Sequence, residues 1–103
     1  MFEFASSFNG DVSDWDTSKV TDMTSMFWSA RAFNQDMNNW DTSQVTSMSG
    51  MFYQATSFDQ NLCAWGAHYS TDKYYAAMFS GTSCPNHYYD PAGPDTNWCV
   101  ATC

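Results

Sequence analysis

The chain lacks the usual aliphatic core formers. It contains no isoleucine, and Leu62 is its one leucine. The apolar content, 44%, is carried instead by five Trp, six Tyr, eight Phe and seven Met. Cations are as scarce: Lys19, Arg31 and Lys73 face eleven carboxylates, for a formal net charge of -8. A polyanion this poor in Lys and Arg cannot neutralise phosphates, which excludes nucleic acid as a partner. It is repelled by anionic membrane surfaces, and no apolar run is long enough to cross a bilayer. The opening residues, MFEFASSFNG, have no basic stretch followed by an apolar one. An extracellular reading therefore requires that a leader has been removed or that the chain is part of a larger protein.

Catalytic and cofactor signatures are missing too. There is no Gly-rich phosphate loop, no Asp-rich calcium loop and no nucleophile spaced for a known triad. His68 and His87 both lie in the irregular C-terminal part. We therefore expect no enzymatic activity, no metal site and no cofactor. The four cysteines, Cys63, Cys84, Cys99 and Cys103, lack the C-x2-C pairing of zinc modules. An even number in a small chain rich in Ser, Thr and aromatics predicts two disulfides and an oxidising compartment. Of the three pairings the sequence permits, we expect Cys63–Cys84 and Cys99–Cys103. The first ties the third repeat to the C-terminal region across a closed loop of 22 residues. Loop-closure entropy makes such a bond worth roughly 3 kcal/mol.

What the chain does have is a period of 25. Met1-Phe2, Met26-Phe27 and Met51-Phe52 open three units, with Phe8, Phe33 and Phe58, then Trp15, Trp40 and Trp65, at matching offsets. Units 1–25 and 26–50 agree at 13 of 25 positions by direct comparison. Unit 51–77 keeps the first half, then departs after Trp65 and carries two extra residues. Segment 78–103 keeps only its opening and becomes rich in Pro, Gly and Cys, as a terminating cap does. We read residues 1–103 as one domain.

Within a unit, Met26, Phe27, Ala30 and Phe33 fall at i, i+1, i+4 and i+7, which predicts a helix of two turns at most. A short strand near residues 36–41 and a tight turn at Asp41-Thr42-Ser43 should follow. The fold expected is α/β: a short right-handed solenoid, with a short helix and a short parallel strand per repeat and a disulfide-stapled C-terminal cap.

The string F-N-x-D-x-x-x-W-D-T-S-x-V-T-x-M-x-x-M-F runs from Phe8 to Phe27 and again from Phe33 to Phe52. It resembles the BspA-like surface-protein repeat family of unknown function, distantly related to leucine-rich repeats. The resemblance implies an α/β solenoid, a cell-surface or extracellular setting and a role in adhesion or surface structure. It carries over no catalytic residue.

The polar rows have a bland reading and a functional one. Asp16-Thr17-Ser18 and Asp41-Thr42-Ser43 form a row for glycan, calcium or ice, or cap their own backbone in Asx or ST turns; we expect the caps. Asp11, Asp36 and Asn61 form a second such row. Trp15, Trp40 and Trp65 form an aromatic strip for sugars or an interior stack, and we expect the interior stack; Trp28 and Tyr53 lie off the apolar stripe and are the candidate exposed aromatic contacts. Phe2, Phe8 and Trp15 form the candidate assembly face, since the first unit begins in repeat register with no polar cap. The expected function is a non-enzymatic structural or adhesive module that self-associates through this face, end to end into filaments, or stacks on neighbouring repeats of a longer chain. The alternative is a glycan- or ligand-binding surface protein.

Overall fold

The computed structural model describes residues 4–85, 87–95, 98–100 and 103. Among these, the one helix is a 3₁₀ segment, Cys63–His68. Two isolated parallel bridges pair Asp22 with Ser47 and Ser47 with Tyr74, and no longer strand is formed among the described residues. The expected α/β solenoid, with one helix and one strand per repeat, is therefore wrong. The chain is a small disulfide-stapled globule in which the repeats stack as layers of successive turns. Its radius of gyration is 12.0 Å, close to the roughly 13 Å of an ordinary hundred-residue globule.

The helix fails because its amides are divided between two directions. An α-helix needs every N–H to reach the carbonyl four residues back. Here Met23, Ser25, Phe27 and Ser29 donate to the next layer, to the carbonyls of Ser47, Ser49, Met51 and Tyr53, at 2.7–2.9 Å. The intervening Met26, Trp28 and Ala30 donate three residues back, to Met23, Ser25 and Phe27. These are turn bonds. Left-handed residues recur every fourth position to make this possible: Ser25 (φ 57°), Ser29 (58°), Gly50 (62°), Gln54 (59°), Ala77 (57°) and Gly81 (80°). The spacing i, i+1, i+4, i+7 thus arises from consecutive turns and only resembles a helical stripe.

The next layer repeats the scheme. Met48, Gly50, Phe52 and Gln54 donate to Tyr74, Ala76, Met78 and Ser80. Donor and acceptor are 24 residues apart in the first set and 26 in the second, so the two extra residues of the third unit are absorbed without breaking register. The expected strand near 36–41 is absent for a similar reason. Trp40 donates its amide back to Met37, as Trp15 does to Val12 and Trp65 to Leu62. Amides turned inward cannot form a ladder.

Aromatic rows fill the interior. Phe8, Phe33 and Phe58 stack at 5.8 and 6.0 Å. Phe27, Phe52 and Phe79 stack at 5.6 and 5.8 Å. The two rows meet within a layer, Phe27 on Phe33 at 4.1 Å and Phe52 on Phe58 at 4.0 Å. Met23 and Met48, Met26, Met51 and Met78, and Val12, Met37 and Leu62 hold matching repeat positions and are buried in the same core. Each buried ring contributes about 1.5–3 kcal/mol by leaving water, and stacked pairs add about 0.5–1.5 kcal/mol. The indole N–H groups are satisfied across layers, Trp40 to the Val12 carbonyl and Trp65 to that of Met37.

The C-terminal segment ends the stack with different chemistry. Trp98 is fully buried, edge-on to both Tyr69 and Tyr75, and its indole donates to the Gly93 carbonyl. Its own carbonyl accepts the Leu62 amide. Ala77 occupies the position of Gly50, whose amide meets the carbonyl of the following layer; the Asp90 carboxylate takes the Ala77 amide at 2.8 Å instead. A side-chain oxygen thus supplies the acceptor that a further layer would provide. Gly66 lets the segment approach, since a Cβ there would collide with the Pro94 carbonyl and crowd the Trp98 indole.

The left-handed positions respond to substitution in opposite directions. Gly50→Ala puts a Cβ at positive φ and within 2.8 Å of the Trp28 ring, and it should cost about 1–3 kcal/mol. The equivalent Ala77→Gly should add about 0.5–1 kcal/mol; urea melts of both variants check the opposite signs. Gly66→Ala should weaken the docking of the C-terminal segment by about 2 kcal/mol or more, read as earlier loss of the near-ultraviolet signal of Trp98.

Candidate functional site

The Asp rows belong to the backbone. Asp11, Asp36 and Asn61 accept the amides of Ser13, Asn38 and Cys63, two residues on, at 2.8–2.9 Å. Asp16 and Asp41 accept those of Ser18 and Ser43, and Asp22 that of Thr24. These are Asx turns, one for each bend of the layer. They hold four carboxyls below their ordinary value of 3.8: Asp11 chiefly through the Ser13 amide, and Asp16, Asp22 and Asp41 chiefly through Ser18, Thr24 and Ser43. An amide ladder runs beside them. Asn9 accepts the Asn34 amide, Asn34 accepts the Asp59 amide, and Gln35 and Gln60 donate back to Asn9 and Asn34.

Thr17 and Thr42 separate the regular layers from the transitional one. The Thr17 hydroxyl donates to the Asp41 carbonyl and accepts the Asp41 amide of the next layer. Thr42 is equally buried, yet its hydroxyl has no partner among the described residues. The chain beyond Trp65 has turned into the 3₁₀ segment and no longer passes where Asp41 does. Lys73 reaches back to the Thr42 carbonyl at 3.4 Å.

Of the candidate assembly face, Phe2 lies outside the described residues. Phe8 is half-buried against Phe33. Trp15 is 39% exposed, whereas Trp40 is 4% and Trp65 1% exposed. Trp28 and Tyr53 are half-buried and lie against each other at 4.3 Å, with the Trp28 ring over Gly50. Among the described residues, the most exposed aromatics were not apparent from the repeat pattern: Phe4, Tyr74, Tyr88 and Tyr89. Tyr88 and Tyr89 sit in the Pro- and Gly-rich segment after Cys84, where the period no longer assigns inside and outside.

Both disulfides exist, with a different pairing from the one expected. Cys63 is bonded to Cys103 and Cys84 to Cys99. The expected Cys99–Cys103 bond would pin the last turn of the chain, but Trp98 packs edge-on to Tyr69 and Tyr75 and Cys99 is buried beside Cys84. Cys84 and Cys99 are buried together, Cys63 is half-buried and Cys103 exposed. The Asp59 carboxylate lies 3.9 Å from the Cys99 sulfur, but both sulfurs of that group are oxidised and offer no thiolate to a metal. His87 bonds the Cys84 carbonyl through Nδ1. No enclosed pocket is found among the described residues.

Because the four carboxyls have depressed values when folded, their stabilisation is fully present above the ordinary carboxylate value of 3.8. It is lost as pH falls through their folded values. Urea midpoints should therefore hold steady from pH 6 to 4 and drop below that. Asp16→Asn keeps the accepting oxygen, as Asn61 does naturally, and should flatten part of the drop; an unchanged acid slope would contradict the assignment.

No curated protein and no solved structure matches the chain. A family model described as "Mycoplasma protein of unknown function, DUF285" matches residues 1–90, which take in all three repeats and the start of the C-terminal segment. The chain belongs to this family, one defined by its sequence and not yet by an activity.

Proposed function

We propose that this protein is a non-enzymatic structural or adhesive repeat module of an extracellular surface, which associates by stacking one repeat layer on another. The observation that carries the reading is the gradient along the Trp row. Trp40 and Trp65 are covered, and Trp15 is 39% exposed at the other end of the same row. Phe8 is likewise more open than Phe33 and Phe58, both fully buried. That face has the shape and chemistry of the layer-to-layer contacts inside the molecule, so its natural complement is another layer of the same kind. The layer comes from a second copy or from neighbouring repeats of a longer chain. The C-terminal segment covers the opposite end of the stack, so copies joined through this face alone meet head to head and close as a pair, while added repeats of a longer chain extend the stack.

Two disulfides support an oxidising, extracellular setting. The resemblance of the Phe8–Phe27 string to BspA-like surface repeats agrees with it. A net charge of -8 keeps such a surface soluble and away from anionic partners. The Trp28–Tyr53 pair favours a second reading, a glycan-binding surface, because sugars stack on aromatic faces of this kind; glycan-array binding lost in Trp28→Ala and Tyr53→Ala would support it.

Sedimentation velocity over a concentration series tests the main reading. The unmodified chain should pair to an extent that rises with concentration, and Trp15→Asp should return it to monomers with the Trp98 near-ultraviolet signal intact. Monomers alone at every concentration of the unmodified chain would overturn it.

A further inference from the structure

The two disulfides of the C-terminal segment stand in opposite environments. Cys84 and Cys99 are 2% and 1% exposed. Their sulfurs pack beside the Phe58 carbonyl and the Asp59 carboxylate. An attacking thiolate must line up with the S–S axis, and burial denies it that approach. Cys103 is exposed, and its partner Cys63 is half-buried. The two bonds also carry different structural duties. Cys84–Cys99 holds Trp98 in place from inside. Around Cys63–Cys103, other contacts tie the same segment down: Leu62 to Trp98, Cys103 to the Asp95 carbonyl, and the close fit of Gly66 against Pro94.

We propose that Cys63–Cys103 is a thiol-exchange site, open to modification by small thiols while Cys84–Cys99 is withheld. The incoming thiolate attacks the sulfur of Cys103, the more exposed residue of the pair. A new S–S bond forms between the thiol and Cys103, the Cys63–Cys103 bond breaks, and Cys63 departs as a thiolate. No net oxidation occurs, and the product is a mixed disulfide at Cys103 beside a free Cys63 thiol. The layers stay folded, because the bond that secures Trp98 is untouched. The chemical class of the preferred thiol is set by charge. With eleven carboxylates against three cations, the molecule repels an anionic thiol and attracts a cationic one, and salt screens both effects.

The experiment uses the oxidised chain with cysteamine as the cationic probe and glutathione as the anionic one. Acid-quenched, alkylated time points are mapped by peptide mass. Cysteamine should appear on Cys103 with Cys63 alkylated, at a rate at least about tenfold that of any opening of Cys84–Cys99. The near-ultraviolet spectrum should stay native at that stage. Raising salt should slow cysteamine and speed glutathione. Equal opening of the two bonds, first labelling at Cys84 or Cys99, or collapse of the spectrum on opening Cys63–Cys103 would each overturn the proposal. A Cys63→Ser, Cys103→Ser double variant supplies an independent check. It should keep the native spectrum and take up no thiol under the same conditions, and uptake at Cys84 or Cys99 at the unmodified chain's rate would also overturn it.

Discussion

Every second amide along Met23–Ser29 and Met48–Gln54 leaves its own layer and bonds to a carbonyl of the next, and the rest of the structure depends on that arrangement. A layer in isolation has half of its turn amides without acceptors. Buried amides left unpaired are costly, so no layer is stable until another is stacked on it. The cross-layer bonds set the spacing at which aromatic rings meet face to face. The rings in turn exclude water from those bonds. Neither contribution suffices alone in a chain with one leucine and no isoleucine.

The same constraint explains the third unit and the C-terminal segment beyond it. A stack must end, and its last row of donors needs acceptors that are not another repeat. The chain provides a carboxylate for Ala77 and the Trp98 carbonyl for Leu62. Two disulfides hold this substitute in place. Among the described residues the fit is imperfect at one point, the buried Thr42 hydroxyl. Thr17 in the regular part of the stack bonds the next layer twice, so the cost of leaving the repeat pattern is visible at a single atom.

Some parts of the site were legible from sequence, and others were hidden for identifiable reasons. The Asx turns at Asp16 and Asp41 were readable because the interaction is local: the acceptor lies two residues from the donor. The buried Trp40 and Trp65 were readable because residues at one repeat offset share one environment. The exposed Tyr88 and Tyr89 were not, since no repeat partner marks their side of the chain. The cysteine pairing failed on a tertiary event, the insertion of Trp98, which draws Cys99 toward Cys84 and leaves Cys103 for Cys63.

By itself the sequence determined the period, the equivalence of residues 25 and then 27 positions apart, the aromatic rows, the Asp-capped bends and the presence of two disulfides. These depend on composition and on contacts within a few residues. Tertiary structure alone decided that Met26, Ala30 and Phe33 lie on consecutive turns and not on a helix. The spacing is compatible with both. The choice rests on whether the amides of Phe27 and Ser29 find acceptors four residues back or 24 residues ahead. Acceptors at that distance exist only once a second layer has folded against the first.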